Sequence, residues 1–110
     1  MNKTLEAEVN RLHAEICMGL ADPNRIMILY SLSQSPHNVT ELSTELEMAQ
    51  PTVSRHLKVL RERGMVTSKR TGTVVEYSLG DRRLVQALDL LRAAMRDMMA
   101  RRNELVEAIA

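Results

Sequence analysis

The sequence predicts a mainly α fold of the α+β kind, a winged helix-turn-helix with element order α-α-α-α-β-β-α, and three stretches predict it. The first is Gln50–Arg63, closed by Gly64. Val53, Leu57 and Leu60 recur there at i, i+4 and i+7, one apolar helical stripe. Pro51, Arg55, Lys58 and Glu62 fall on the opposite side of the wheel, with Thr52, Ser54 and Val59 on its flanks. The second is Val39–Glu47, a short helix with the apolar pair Leu42 and Leu46 and with Thr40 as the expected cap. A turn around Met48-Ala49 joins the two at helix-turn-helix spacing. The third is Met65–Leu79, where Val75, Tyr77 and Leu79 alternate with Val74, Glu76 and Ser78. That period of two belongs to a half-buried strand, and Thr71-Gly72 supplies the hairpin turn.

The remaining elements follow in chain order. Residues 4–20 read as helix one, with Leu5, Val9, Leu12 and Ile16 stepping by four, three and four as an a/d seam. Asp22 caps helix two and Pro23 takes its first helical position. Ile26–Tyr30 is apolar nearly all round, which predicts a central, buried helix, and Ser33–Asn38 reads as a loop. After the hairpin, Asp81 caps a last helix running from Arg82 to about Ala108. Leu84, Leu88, Leu91, Met95, Met98, Leu105 and Ile109 form its seam, interrupted only by Arg102. A helix of that length outruns what a small winged helix can cover. The division expected within a single 1–110 domain is therefore a helix-turn-helix at 39–63, a wing at 65–79, and dimerisation helices at 1–21 and 81–110. The alternative is a last helix folded back on its own domain.

Composition bounds the function. At 110 residues, 45% apolar and 26% charged, the chain has the make-up of one globular domain. Only Tyr30 and Tyr77 are aromatic, which argues against a single-strand or RNA binder built on stacking platforms. Eight methionines fill the space as adaptable core residues. The net charge of +1 is unevenly spread: residues 50–73 carry six cations against Glu62 alone, whereas residues 1–49 carry three against seven acids. Positive charge thus gathers on the Gln50–Arg63 helix and the wing, the footprint of a phosphate-facing surface. No apolar run suits a signal peptide or a membrane span, and the single cysteine gives no disulfide framework, so a cytoplasmic protein is expected. No Gly-rich phosphate loop or catalytic constellation is present, so no enzyme is expected.

The run Ala21-Asp-Pro-Asn-Arg25, then Thr40-Glu-Leu-Ser43, then Gln50-Pro-Thr-Val-Ser-Arg-His-Leu-Lys-Val-Leu-Arg-Glu-Arg-Gly-Met-Val66 resembles the ArsR/SmtB family of transcriptional repressors. The likeness spans roughly residues 15 to 80, and Pro51–Leu60 is its most specific segment. It implies a homodimeric winged-helix repressor that leaves double-stranded operator DNA when an inducer binds, often a metal ion, a metalloid or a thiol oxidant. It also implies that Gln50, Thr52, Ser54 and Arg55 face DNA. The residues agree with that. Gln50, Thr52 and Ser54 can hydrogen-bond bases or backbone near the helix start, and Arg55 and Lys58 can reach phosphates or guanine edges. Lys69, Arg70 and Thr71 sit at the wing tip, where the two cations suit a flanking minor groove or its phosphates. His56, at the edge of the stripe, suits packing or a backbone contact, with a phosphate contact as the other reading. Two-fold symmetry implies an inverted-repeat operator. One departure stands out: Ala49 occupies the position where the family often has a Ser or Thr cap.

The inducer is less legible. One sensing arrangement of the family places Cys-x-Cys in the helix before the recognition helix, where this chain has Glu41-Leu-Ser-Thr-Glu45. Another uses His and carboxylates on the last helix, which here has Asp89, Asp97, Glu104 and Glu107 but no His. His13 and Cys17 remain, four apart on helix one. They would be half of a four-ligand site across a two-fold, or a thiol switch, or simply a buried small Cys beside a surface His. The reading from a different class is a winged-helix module that binds protein and not DNA; the cationic rather than apolar face speaks against it.

Overall fold

The computed structural model describes residues 2–109, and its element order is α1 (Lys3–Leu12), a π-helical turn (His13–Cys17), α2 (Pro23–Gln34), α3 (Val39–Leu46), α4 (Gln50–Glu62), β1 (Val66–Thr71), β2 (Val74–Leu79) and α5 (Arg83–Ile109). Helix one therefore does not stay α-helical to residue 20. Its ladder widens at His13, where the Met18 N–H donates to the His13 carbonyl, five residues back.

The core is built by the middle of the chain. Ile28, Leu29, Leu42, Val53, Leu57 and Leu60 are completely buried, and Leu32, Met65, Val66 and Leu88 nearly so. All three members of the expected α4 stripe are in that set. Helix α2 is central, as its composition predicts, but it is not buried all round: Met27 is half exposed. Asp22 caps it, its carboxylate accepting from the Asn24 N–H at 2.8 Å, with Pro23 in the first turn.

The cap of α3 is Asn38, two residues before the expected Thr40. Its side chain accepts from the Glu41 N–H (2.8 Å) while the Glu41 carboxylate accepts from the Asn38 N–H (2.9 Å). This reciprocal capping box satisfies two otherwise orphaned donors, which a lone Thr hydroxyl would not do. The turn into α4 passes through Glu47, in the left-handed region at φ 53°, and the Met48 N–H donates to the Ser43 carbonyl at 3.1 Å.

The wing is a two-stranded antiparallel hairpin whose register runs from Val66 opposite Leu79 to Thr71 opposite Val74. The turn residues are thus Gly72-Thr73, one step later than Thr71-Gly72. Gly72 has φ 65°, the positive value that a two-residue hairpin places at its first turn position. The expected Ser33–Asn38 loop contains structure of its own. Helix α2 runs on to Gln34, and His37 pairs with Tyr77 through both backbone hydrogen bonds (3.0 and 2.8 Å). His37 also places Nε2 3.2 Å from the Glu45 carboxylate, which accepts from the Ser31 hydroxyl at 2.8 Å. One short segment thereby ties α2, α3 and the wing together.

Helix α5 leaves this body. Asp81 fixes its start, accepting from the Arg83 N–H at 2.8 Å and pairing with the Arg83 guanidinium at 2.8 Å. Tyr30 of α2 holds its second turn: the hydroxyl donates to Asp89 at 2.7 Å, and Arg92 lies over the ring, 5.3 Å from its centroid. Burial, then the Asp89 hydrogen bond, raises the Tyr30 hydroxyl above its ordinary value. Beyond Ala93 every described residue of the helix is exposed. At 27 residues it is about 40 Å long. The radius of gyration, 17.4 Å, exceeds the roughly 13 Å expected of a compact chain this size. No described helix is long and apolar enough to cross a membrane.

Candidate nucleic-acid interface

Because Val53, Leu57 and Leu60 anchor α4 in the core, the helix must turn its other side outward. Gln50, Ser54, Arg55 and Lys58 are exposed along it, and Thr52 and His56 are half-buried at its margins. The Arg55 guanidinium donates to the Thr52 hydroxyl at 3.3 Å, one turn back, so the side chain lies along the outer face toward the helix start. Ala49, the residue before the helix, offers no side-chain hydrogen bond to the first turn. The α4 N-terminus therefore presents backbone N–H groups uncapped by the preceding residue, beside Gln50 and Thr52.

On the wing, Lys69, Arg70 and Thr71 are all exposed, but the register separates them. Arg70 shares the face of Val66 and Ser68, opposite Val75 and Tyr77. That face meets α4, because Arg61 donates to the Ser68 hydroxyl at 3.4 Å. Lys69 and Thr71 lie on the other face, and Lys69 stands opposite Glu76. Arg70 therefore lies on the α4 side of the hairpin, whereas Lys69 has a carboxylate for its cross-strand neighbour.

Not all of the positive charge of residues 50–73 stands clear of the body. Arg63 is half-buried and turned inward, its Nη1 donating to the carbonyls of Ala14 (2.6 Å) and Glu15 (3.2 Å). It ties the residue after α4 to the π-helical turn that follows α1. A local reading could not find this partner, 49 residues away.

His13 and Cys17 are both exposed in the single chain. No group of three or more His, Cys, Asp or Glu able to hold a metal ion occurs among the described residues.

The comparisons with known proteins agree with this architecture. Residues 22–68 match the family described as "Bacterial regulatory protein, arsR family". The chain is 39% identical over 85 residues to the HTH-type transcriptional regulator NmtR of Mycobacterium tuberculosis, covering 77% of this chain and 71% of that protein. It is 42% identical over 84 residues to the HTH-type transcriptional repressor SmtB of the same species, covering 76% of this chain and 62% of that protein. Among solved structures it is similar to the transcriptional repressor BigR from Xylella fastidiosa, with TM-score 0.72, 28% identity and coverage of 86% of this chain and 96% of that one. With the family match falling on α2, the helix-turn-helix and the start of the wing, the chain belongs to the ArsR/SmtB family of winged helix-turn-helix transcriptional regulators, and is not an enzyme.

Proposed function

We propose that the protein is a homodimeric, sequence-specific repressor that sets two copies of α4 into successive major grooves of an inverted-repeat operator. The observation that carries this reading is the exposed edge of α4, where Gln50, Ser54, Arg55 and Lys58 stand clear while its opposite stripe is fixed in the core. Gln50, Thr52 and Ser54 are the groups for base edges and backbone near the helix start. Arg55 and Lys58 serve guanine edges or phosphates, and Arg70 the flanking backbone. Lys69, Thr71 and His56 take supporting contacts. Fluorescence anisotropy with a duplex selected from a random pool tests this. Binding should weaken steeply as salt rises. Arg55→Ala should cost about 1–3 kcal/mol of operator affinity if Arg55 grips a base edge in two places. Salt-independent binding, or no duplex selected at all, would favour a protein-binding module instead.

The same reading assigns release to an inducer, a metal ion or a thiol-reactive compound. His13 and Cys17 are its candidate contacts, because two pairs from two chains supply four donors and the Cys17 thiol is exposed. Cys17→Ser should leave DNA binding intact and abolish release by thiol reagents or metals; release that persists places the sensor elsewhere.

A further inference from the structure

The end of the first helix is held by two arginines from the body of the domain. Toward this C-terminal end backbone donors thin out, although the Met18 carbonyl still accepts from the Ala21 N–H at 3.3 Å, and the helix dipole places partial negative charge there. Arg63 donates to the carbonyls of Ala14 and Glu15, at 2.6 and 3.2 Å. Arg25 of α2 donates to Gly19 from Nε (2.7 Å) and to Met18 from Nη2 (3.1 Å). Four carbonyls are thus gathered by two guanidinium groups. The approach is close because residue 19 is a glycine: a Cβ there would stand 2.6 Å from the Met65 sulfur and 3.1 Å from Arg63 Cδ. Arg63 directly follows Glu62, the last residue of α4. So the base of the helix read as the DNA-reading element is bolted to the helix whose seam, Leu5, Val9 and Leu12, is exposed for a second copy.

We infer that Arg63, seconded by Arg25, is a positioning residue that fixes the angle and distance of α4 relative to the dimer axis, and so sets the half-site spacing the dimer accepts. This rests on the reading of a dimer on an inverted repeat. It removes Arg63 from the phosphate-contacting set despite its charge. It also gives the π-helical turn a role, since the widened ladder leaves the Ala14 and Glu15 carbonyls to Arg63.

The test compares two duplexes selected by the wild-type protein, one with both half-sites and one with a single half-site beside scrambled sequence. Arg63→Gln should weaken binding to the full inverted repeat by about tenfold, the scale of one charge-assisted hydrogen bond. Single-half-site affinity and the salt slope should stay as in the wild type. A series of repeats with spacing changed by one base pair should show a broadened or displaced optimum. Gly19→Ala, which keeps every charge and pushes on Arg63 and Met65, should displace the optimum in the same way. Equal losses on both duplexes, with the salt slope falling by about one, would make Arg63 a phosphate contact and overturn the inference. An unchanged spacing preference in both variants, shown folded by circular dichroism, would also overturn it. Failure of the wild type to select any duplex would instead sink the DNA-binding reading itself.

Discussion

The middle of the chain and its two ends solve the burial problem differently. From α2 to β2 each apolar stripe meets another: Ile28, Leu29, Leu42, Leu57 and Val66 are closed off within one chain. The outer helices leave theirs open. Leu5, Val9 and Leu12 are each about half exposed, Leu91 is 62% exposed and Ile109 77%. Both regions carry a regular seam, so patterning alone does not separate them. What separates them is whether the partner surface lies in the same chain. Exposed apolar surface on this scale, carried by helices that protrude from the body, belongs to an association face. We propose that a second copy covers it, with α1 and α5 packed across a two-fold axis.

Two substitutions break that contrast from opposite sides. Leu57→Ala removes a fully buried side chain from the closed region and should cost about 3 kcal/mol of folding stability, within the range for core truncation. Urea unfolding measures it, and a loss below about 1 kcal/mol would mean that the α4 stripe is poorly packed. Leu91→Glu places a charge on the open seam. In the single chain that side is in water, so the fold should survive. In a dimer it would bury an unpaired carboxylate. We expect association to weaken on the order of 100-fold, about 2.7 kcal/mol, with helical content unchanged. Sedimentation velocity reads the first quantity and circular dichroism the second. Undiminished association would move the interface off this seam.

The same contrast explains what the sequence discloses. The helix-turn-helix, the wing and the capped starts of α2 and α5 were legible, because each is written in local spacing: a stripe at Val53, Leu57 and Leu60, an alternation from Val74 to Leu79, an Asp-Pro step at residue 22. What escaped is mostly what depends on a distant partner. The His37–Tyr77 pairing closes a separation of 40 residues, and Arg63 reaches back to Ala14. The widening of α1 into a π-helical turn at His13 falls inside an unbroken i, i+4 spacing of Leu12 and Ile16, so no pattern marks it, although Ile16 packs on the core while Leu12 is half exposed. Asn38 displaced Thr40 as the cap because Glu41 stands three residues after it, a signature that was readable but lost to the nearer hydroxyl. On the candidate surface, exposure of the α4 residues followed from the stripe. That Lys69 and Arg70 part to opposite faces is plain strand alternation, but which of them shares the α4 side depends on the hairpin's packing, seen in the Arg61–Ser68 contact.

The smallest effect expected sits at the junction between the two regions, where α5 departs. The backbone N–H and the guanidinium of Arg83 both hold the Asp81 carboxylate, and the Arg83 side chain is the larger cause of lowering its pKa from 3.8 to about 2. A depressed value means that the folded chain favours the anion. The stabilisation is therefore fully present above about pH 4 and is lost as pH falls through about 2. Both side chains are well exposed to solvent, so the effect belongs to the first turn of α5 rather than to the whole domain. Asp81→Asn keeps an acceptor for the Arg83 N–H but has no proton to take up. The variant should match the wild type near pH 2 and fall below it from pH 4 upward, in thermal melts followed at 222 nm. Parallel curves across that window would show that Asp81 holds α5 only as a neutral cap, leaving Tyr30 and Asp89 to fix the direction in which the helix leaves the core.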